Sequence, residues 1–159
     1  MSRSPENRSR RQSHDGGVTS DRLEQLLAHC GDLAIEVEWV DLGGRRRGEY
    51  LDDHQLIRLN SQLTRAQATA TLAHELGHAV FGDRCSTPLG ERRAWEYGAA
   101  LVIGRREYAR AERIVGCHPA AIAVELGVTP KLVEAWRRWF EKRYPIELRR
   151  RAAEHATEL

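Results

Sequence analysis

His74, Glu75 and His78 stand together in Ala73-His74-Glu75-Leu76-Gly77-His78-Ala79, a His-Glu-x-x-His pattern. On a helix the i, i+4 spacing places both imidazoles on one face a turn apart, so two ring nitrogens can converge on one ion. Glu75 projects beside them, where a carboxylate can take a proton from water that a metal has acidified toward neutral pH. With 7 His in 159 residues, a chance match somewhere in the chain is on the order of 0.03. The expected cofactor is zinc, one ion per chain, with Glu75 as the catalytic base. The plainer alternative is two surface histidines on an amphipathic helix.

Two histidines leave a catalytic zinc one protein ligand short. After His78 the chain reads Ala79-Val80-Phe81-Gly82-Asp83-Arg84, so no third histidine continues the motif. A carboxylate from the next helix is the natural substitute, and Glu91 and Glu96 are the candidates. Glu91 is favoured, because small Ala94 and Gly98 share its face and allow close approach to the zinc helix. Its competing role is that of an acid at a helix start, favoured by the macrodipole. Cys85 and the Cys117-His118 pair would ligate a metal only if they met in space. His118, Tyr97 or Tyr108 could polarise a scissile carbonyl. His54 reads as a turn residue. Asp83 reads as a solvated loop acid, with orientation of a ligating histidine as its lesser reading.

The elements that must carry these residues are legible from periodicity. Ser20-Asp21 caps a short helix with Leu23, Leu26 and Leu27 on one face, ended by Gly31. Leu33, Ile35, Val37 and Trp39 alternate with less apolar neighbours as in a half-buried strand. Glu49–Leu51 and Leu56–Leu59 read as two more strands, and a three-stranded antiparallel sheet is expected. Thr64-Arg65-Ala66-Gln67 has the form of a capping box. The helix it starts runs to about Phe81, with Leu72, Leu76, Ala79 and Val80 on its apolar face. Thr87-Pro88 opens a second long helix, reaching about Glu112. Two shorter helices span about Pro119–Leu126 and Pro130–Tyr144. The expected fold is α+β, a small antiparallel sheet packed with a helical bundle. Its domain occupies residues 20–145, between a disordered basic tail at 1–19 and a polar tail at 146–159.

Residues 119–144 also fit helix-turn-helix grammar. Ala123 is small where two helices touch, Gly127 lies in the turn, and Val133 lies in the second core. Thr129 caps the second helix and Pro130 occupies its first turn. Arg137, Arg138, Lys142 and Arg143 follow, which makes direct DNA binding on a catalytically inactive scaffold the rival function. Trp136, Trp139 and Phe140 suit packing or a protein partner equally well.

Composition limits the rest. With 25 Lys plus Arg against 23 Asp plus Glu, the net charge of +2 argues against a globally basic nucleic-acid coat. No apolar run approaches the roughly 20 residues of a membrane span. No apolar segment follows the N-terminal arginines as in a secretory signal. Three cysteines without CxxC spacing suggest neither a disulfide framework nor a cysteine zinc site. The expected compartment is the cytoplasm.

Three strands, then Ala-His-Glu-Leu-Gly-His-Ala, then Glu91-Arg92-Arg93-Ala94-Trp95-Glu96-Tyr97-Gly98-Ala99-Ala100-Leu101, resembles the ImmA/IrrE family of zinc metallopeptidase-like proteins. The similarity covers about Leu33 to Phe140. It implies zinc ligands at His74, His78 and Glu91, and Glu75 as general base. It also implies a cytoplasmic, site-specific endopeptidase whose substrate is a helix-turn-helix transcriptional repressor of a prophage, mobile element or stress regulon. The family often has Asn or Asp four residues after the ligand glutamate, where this chain has Trp95. A polar contact behind the ligands is therefore expected to be missing, with weaker ligand geometry or activity.

Overall fold

In the computed structural model the described residues are 21–83 and 86–146. The expected N-terminal tail, Cys85 and all but the first residue of the expected C-terminal tail lie outside them. Helix α1 (Arg22–Asp32) starts where the Asp21 side chain accepts the Leu23 N–H, and it buries Leu23, Leu26 and Cys30. It passes through Gly31 rather than stopping there; Ala34, in the left-handed region at φ 55°, makes the turn into the sheet.

Strands β1 (Glu36–Val40), β2 (Gly48–Leu51) and β3 (Leu56–Asn60) form one sheet in the order β1-β3-β2. β2 runs antiparallel to β3, but β1 runs parallel to it. The sheet is therefore mixed, not antiparallel as expected. Side-chain alternation reports which face of a strand is buried and carries no information on partner direction. β3 takes the centre because Leu56, Ile57, Leu59 and Asn60 are all buried. β1, with Glu36 and Glu38 exposed, takes an edge. Its alternation is only partly used: Ile35 is buried, whereas Leu33 and Trp39 are exposed.

Helix α2 (Arg65–Phe81) opens on the expected capping box, with Thr64 and Gln67 satisfying each other's backbone amides. It is buried on all sides from Ala68 to His78, not along one stripe. Packing against α1, α3, β2 and β3 at once accounts for this. Val80, expected on the apolar face, lies beyond that contact and is exposed.

The second long helix is in fact two, α3 (Pro88–Val102) and α4 (Arg105–Val115). Ile103 leaves the helix in an extended conformation. Its freed carbonyl accepts the Trp136 indole N–H at 2.8 Å, so a contact with the last helix supports the break. Glu107 reaches back to the Gly104 N–H at 3.4 Å to start α4. Helix α5 (Pro119–Leu126) ends at Gly127, φ 64°, and helix α6 (Pro130–Arg143) begins at Thr129, whose side chain accepts the Leu132 N–H. α6 packs on both α3 and α5. Its Trp136 stacks on Tyr108 and Phe140, with ring centroids 4.1 and 5.0 Å away. Among the described residues no helix is long and apolar enough to cross a membrane.

Candidate metal centre

The site depends on how closely α2 and α3 approach. A Cβ built on Gly77 would lie 2.6 Å from the Ala94 backbone, and one built on Gly98 would lie 2.4 Å from the Ala73 carbonyl oxygen. Neither space holds a methyl group, so glycine at each position lets one helix backbone rest on the other. The Thr87 hydroxyl accepts the Gly90 N–H at 3.0 Å and starts α3 beside α2. Glu91, in the first turn of α3, then faces the histidines.

His74 Nε2 and His78 Nε2 lie 3.1 Å apart. Glu91 Oε2 lies 3.2 Å from His74 Nε2, and Glu91 Oε1 lies 3.3 Å from His78 Nε2. For ligand bonds of 2.0–2.1 Å, a tetrahedral zinc site requires ligand atoms about 3.3 Å apart. The three side chains thus stand at the spacing that ion would impose, and they are the described set whose ligand atoms converge. The donor set of two imidazoles and one carboxylate also suits it. His74 stays neutral and able to ligate: burial and the neighbouring His78 lower its pKa from 6.5 to about 4. Burial alone would raise the Glu91 carboxyl, but the Ser86 hydroxyl, at 2.8 Å, and both imidazoles hold it below its ordinary value.

Glu75 is buried alongside the trio. Desolvation, then the charges of Glu91 and Glu49, raise its pKa from 4.5 to about 7, against a hydrogen bond from the Tyr50 backbone N–H. A carboxyl poised near neutrality is suited to both taking and returning a proton. Tyr50 belongs to edge strand β2, whose Gly48 presses against Thr71 of α2. An open cleft of about 370 Å³ adjoins this edge, lined by Tyr50, Leu51, Asp52, Asp53, His54 and Asp83. His54 sits there in a 3-10 turn, Asp52–His54.

Other candidates are placed elsewhere. Glu96 is buried on the far side of α3, with both carboxylate oxygens on Lys142 Nζ at 2.7 and 2.8 Å. It does not join the trio. Tyr97 packs edge-on against Phe81, and Tyr108 is buried against Trp136. His118 serves as the residue preceding α5, and Cys117 is exposed beside it. Asp83 is not a solvated loop acid: its side chain is 15% exposed, with Oδ2 3.6 Å from His78 Nδ1 and Oδ1 on Arg93 at 2.7 Å. The tight end of α2 at Gly82, φ 62°, folds it back against the motif.

Two participants had not been expected from the sequence, and a third, Trp95, had been expected only as the loss of a polar contact. The Tyr50 amide is a backbone group, and no side-chain pattern reports it. Trp95 stacks on His74, with centroids 4.3 Å apart and planes 23° from parallel, while His74 Nδ1 is buried without a hydrogen-bond partner among the described residues. Its position one turn beyond Glu91 was the available signal. Lys131, whose Nζ lies 4.1 Å from the centre of the Trp95 ring, comes from the distant start of α6 and left none.

A family model described as IrrE N-terminal-like domain, of the M78 peptidases, matches residues 31–135. The chain belongs to the ImmA/IrrE family. That family is one of zinc metallopeptidases, and in this ImmA/IrrE chain His74, His78 and Glu91 are the residues that could hold the metal. A comparison with curated proteins returns no match.

Proposed function

We propose that this chain is a zinc-dependent endopeptidase acting on a protein, specifically a helix-turn-helix transcriptional repressor of a prophage, mobile element or stress regulon, in the cytoplasm. The observation that carries the enzymatic part is the trio of side chains, with the two imidazole nitrogens 3.1 Å apart and one Glu91 oxygen within 3.2 or 3.3 Å of each, and a buried acid beside it. The repressor as substrate rests on family membership.

His74, His78 and Glu91 would hold the zinc, which when bound supplies Lewis acidity toward a peptide carbonyl and toward water. Glu75 takes a proton from the attacking water on its carboxylate and returns it to the departing amine nitrogen. The Tyr50 N–H keeps that carboxylate aimed while it changes charge. β2 is an edge strand of the sheet, and its Tyr50 N–H donates to Glu75. An extended substrate segment laid along that edge would bring its backbone to the acid.

Metal analysis and cleavage test the proposal together. The purified chain should carry one zinc. His74→Ala, His78→Ala and Glu91→Ala should lose it, while Glu96→Ala should keep it. Glu75→Gln should keep zinc and abolish cleavage of a repressor encoded beside the gene, because an amide cannot accept the proton. Zinc retained by Glu91→Ala and lost by Glu96→Ala would refute the ligand set. A zinc-loaded wild type that leaves such repressors intact would refute the substrate.

A further inference from the structure

A ligating histidine ordinarily has its second ring nitrogen fixed by a carboxylate, a carbonyl or water, which sets the ring's orientation. Among the described residues no carboxylate or carbonyl bonds His74 Nδ1, although it is buried. The ring is gripped by its face instead. The Trp95 indole lies nearly parallel to it at 4.3 Å, and the Lys131 ammonium lies 4.1 Å from the centre of that indole. Stacking restrains the plane of an aromatic ring, and a cation at an indole face holds the indole.

Rotation of the imidazole about its Cβ–Cγ bond would carry Nε2 away from His78 and Glu91. Stacking resists that rotation without any hydrogen bond. Glu91 and Trp95 are one turn apart on α3, so the same helix presents the third ligand-type group and the surface that orients the first. Lys131 is in the first turn of α6, after Thr129 and Pro130. The α5–α6 pair therefore reaches the metal centre through a side chain rather than standing apart from it.

We propose that Trp95 is a positioning residue for the metal centre: its indole, held by Lys131, orients His74 by ring stacking where a hydrogen bond to Nδ1 would otherwise do so. This inference rests on the reading of His74, His78 and Glu91 as zinc ligands.

The test compares full-length wild type, Trp95→Phe and Trp95→Leu. Zinc affinity is measured by competition with a chelating indicator, and the visible spectrum of each cobalt-loaded protein reports ligand geometry. Trp95→Leu should bind zinc about 10-fold or more weakly, the range seen when groups orienting a ligand are removed, with an altered cobalt band. Trp95→Phe, which keeps a stacking ring, should stay within about 3-fold of wild type with its band preserved. Metal-free unfolding midpoints identify a variant that has failed to fold, and Trp95→Met, flexible and closer in volume, then replaces leucine. Wild-type affinity and an unchanged cobalt spectrum in Trp95→Leu or Trp95→Met would overturn the inference while leaving the metal reading intact. A wild type that takes up no zinc would remove the metal reading and this inference with it.

Discussion

Glu75 is uncharged in the metal-free site until the pH approaches neutrality, because burial and the nearby Glu91 and Glu49 raise its pKa from 4.5 to about 7. In the unfolded chain the same group gives up its proton near 4.5. Between those values the folded state binds more protons, so this group makes stability fall as pH rises from about 4.5 to about 7. At about 1.4 kcal/mol per pKa unit the penalty above pH 7 is about 3 kcal/mol. Glu75→Gln keeps an acceptor for the Tyr50 N–H and loses the penalty. In chelator, the variant should match wild type in urea unfolding at pH 4.5 and exceed it at pH 8 by up to about 3 kcal/mol. His74 contributes in the opposite sense: its pKa is lowered to about 4, so stability is lost as pH falls through the interval below 6.5. That effect is common to both proteins and cancels in the difference. A stability difference independent of pH would show that Glu75 is not held in its neutral form.

Helices α2 and α3 touch through glycine, and this contact positions Glu91. At Gly98 a methyl group would meet the Ala73 carbonyl oxygen at 2.4 Å, a rigid neighbour that cannot turn aside. Gly98→Ala should therefore cost about 1–3 kcal/mol by overpacking. It should also weaken zinc binding, since separating the helices moves Glu91 from the histidines. Gly31 gives the opposite sign. It lies within α1, its φ is not positive, and a Cβ added there would meet nothing within 4 Å. Gly31→Ala should stabilise by about 0.5–1 kcal/mol through lower unfolded-state entropy. Urea unfolding and zinc content of the two variants check both signs. Equal effects would mean that helix propensity, not helix contact, governs these glycines.

Across the whole molecule, charge and metal make separate demands. The net charge is +2, and three of the five basic residues of α6 are engaged internally. Lys142 pairs with Glu96, Arg137 donates to the Tyr108 hydroxyl and the Cys117 carbonyl, and Lys131 lies on Trp95. Duplex DNA should accordingly bind weakly, with a shallow salt dependence, and Arg138→Ala should change little. Submicromolar binding that falls steeply between low and high salt would favour the DNA-binding rival. Zinc, by contrast, should stabilise the fold, because the trio exists only when α2 and α3 are packed. Chelation should lower the unfolding midpoint by an amount that grows with free zinc in the reference sample, as mass action requires. A midpoint insensitive to chelator would argue against a bound structural or catalytic ion.

Sequence alone determined what is local. The His74–His78 spacing, the Thr64–Gln67 box and the caps at Asp21, Thr87 and Thr129 depend on residues within about one turn of each other, and each stands as the sequence indicated. The small Ala94 and Gly98 beside Glu91 similarly signalled a close helix approach. Tertiary structure decided what lies between distant segments. β1 runs parallel to β3 because the buried β3 takes the sheet's centre, a choice that alternation cannot encode. The break at Ile103 is supported by Trp136 of α6, and Glu96 is drawn to Lys142 rather than to the histidines. Trp95 and Lys131 gained their places at the centre only when α2, α3 and α6 packed. Periodicity records the environment averaged along one element; pair contacts across elements are fixed by packing, and one sequence carries no separate signal for them.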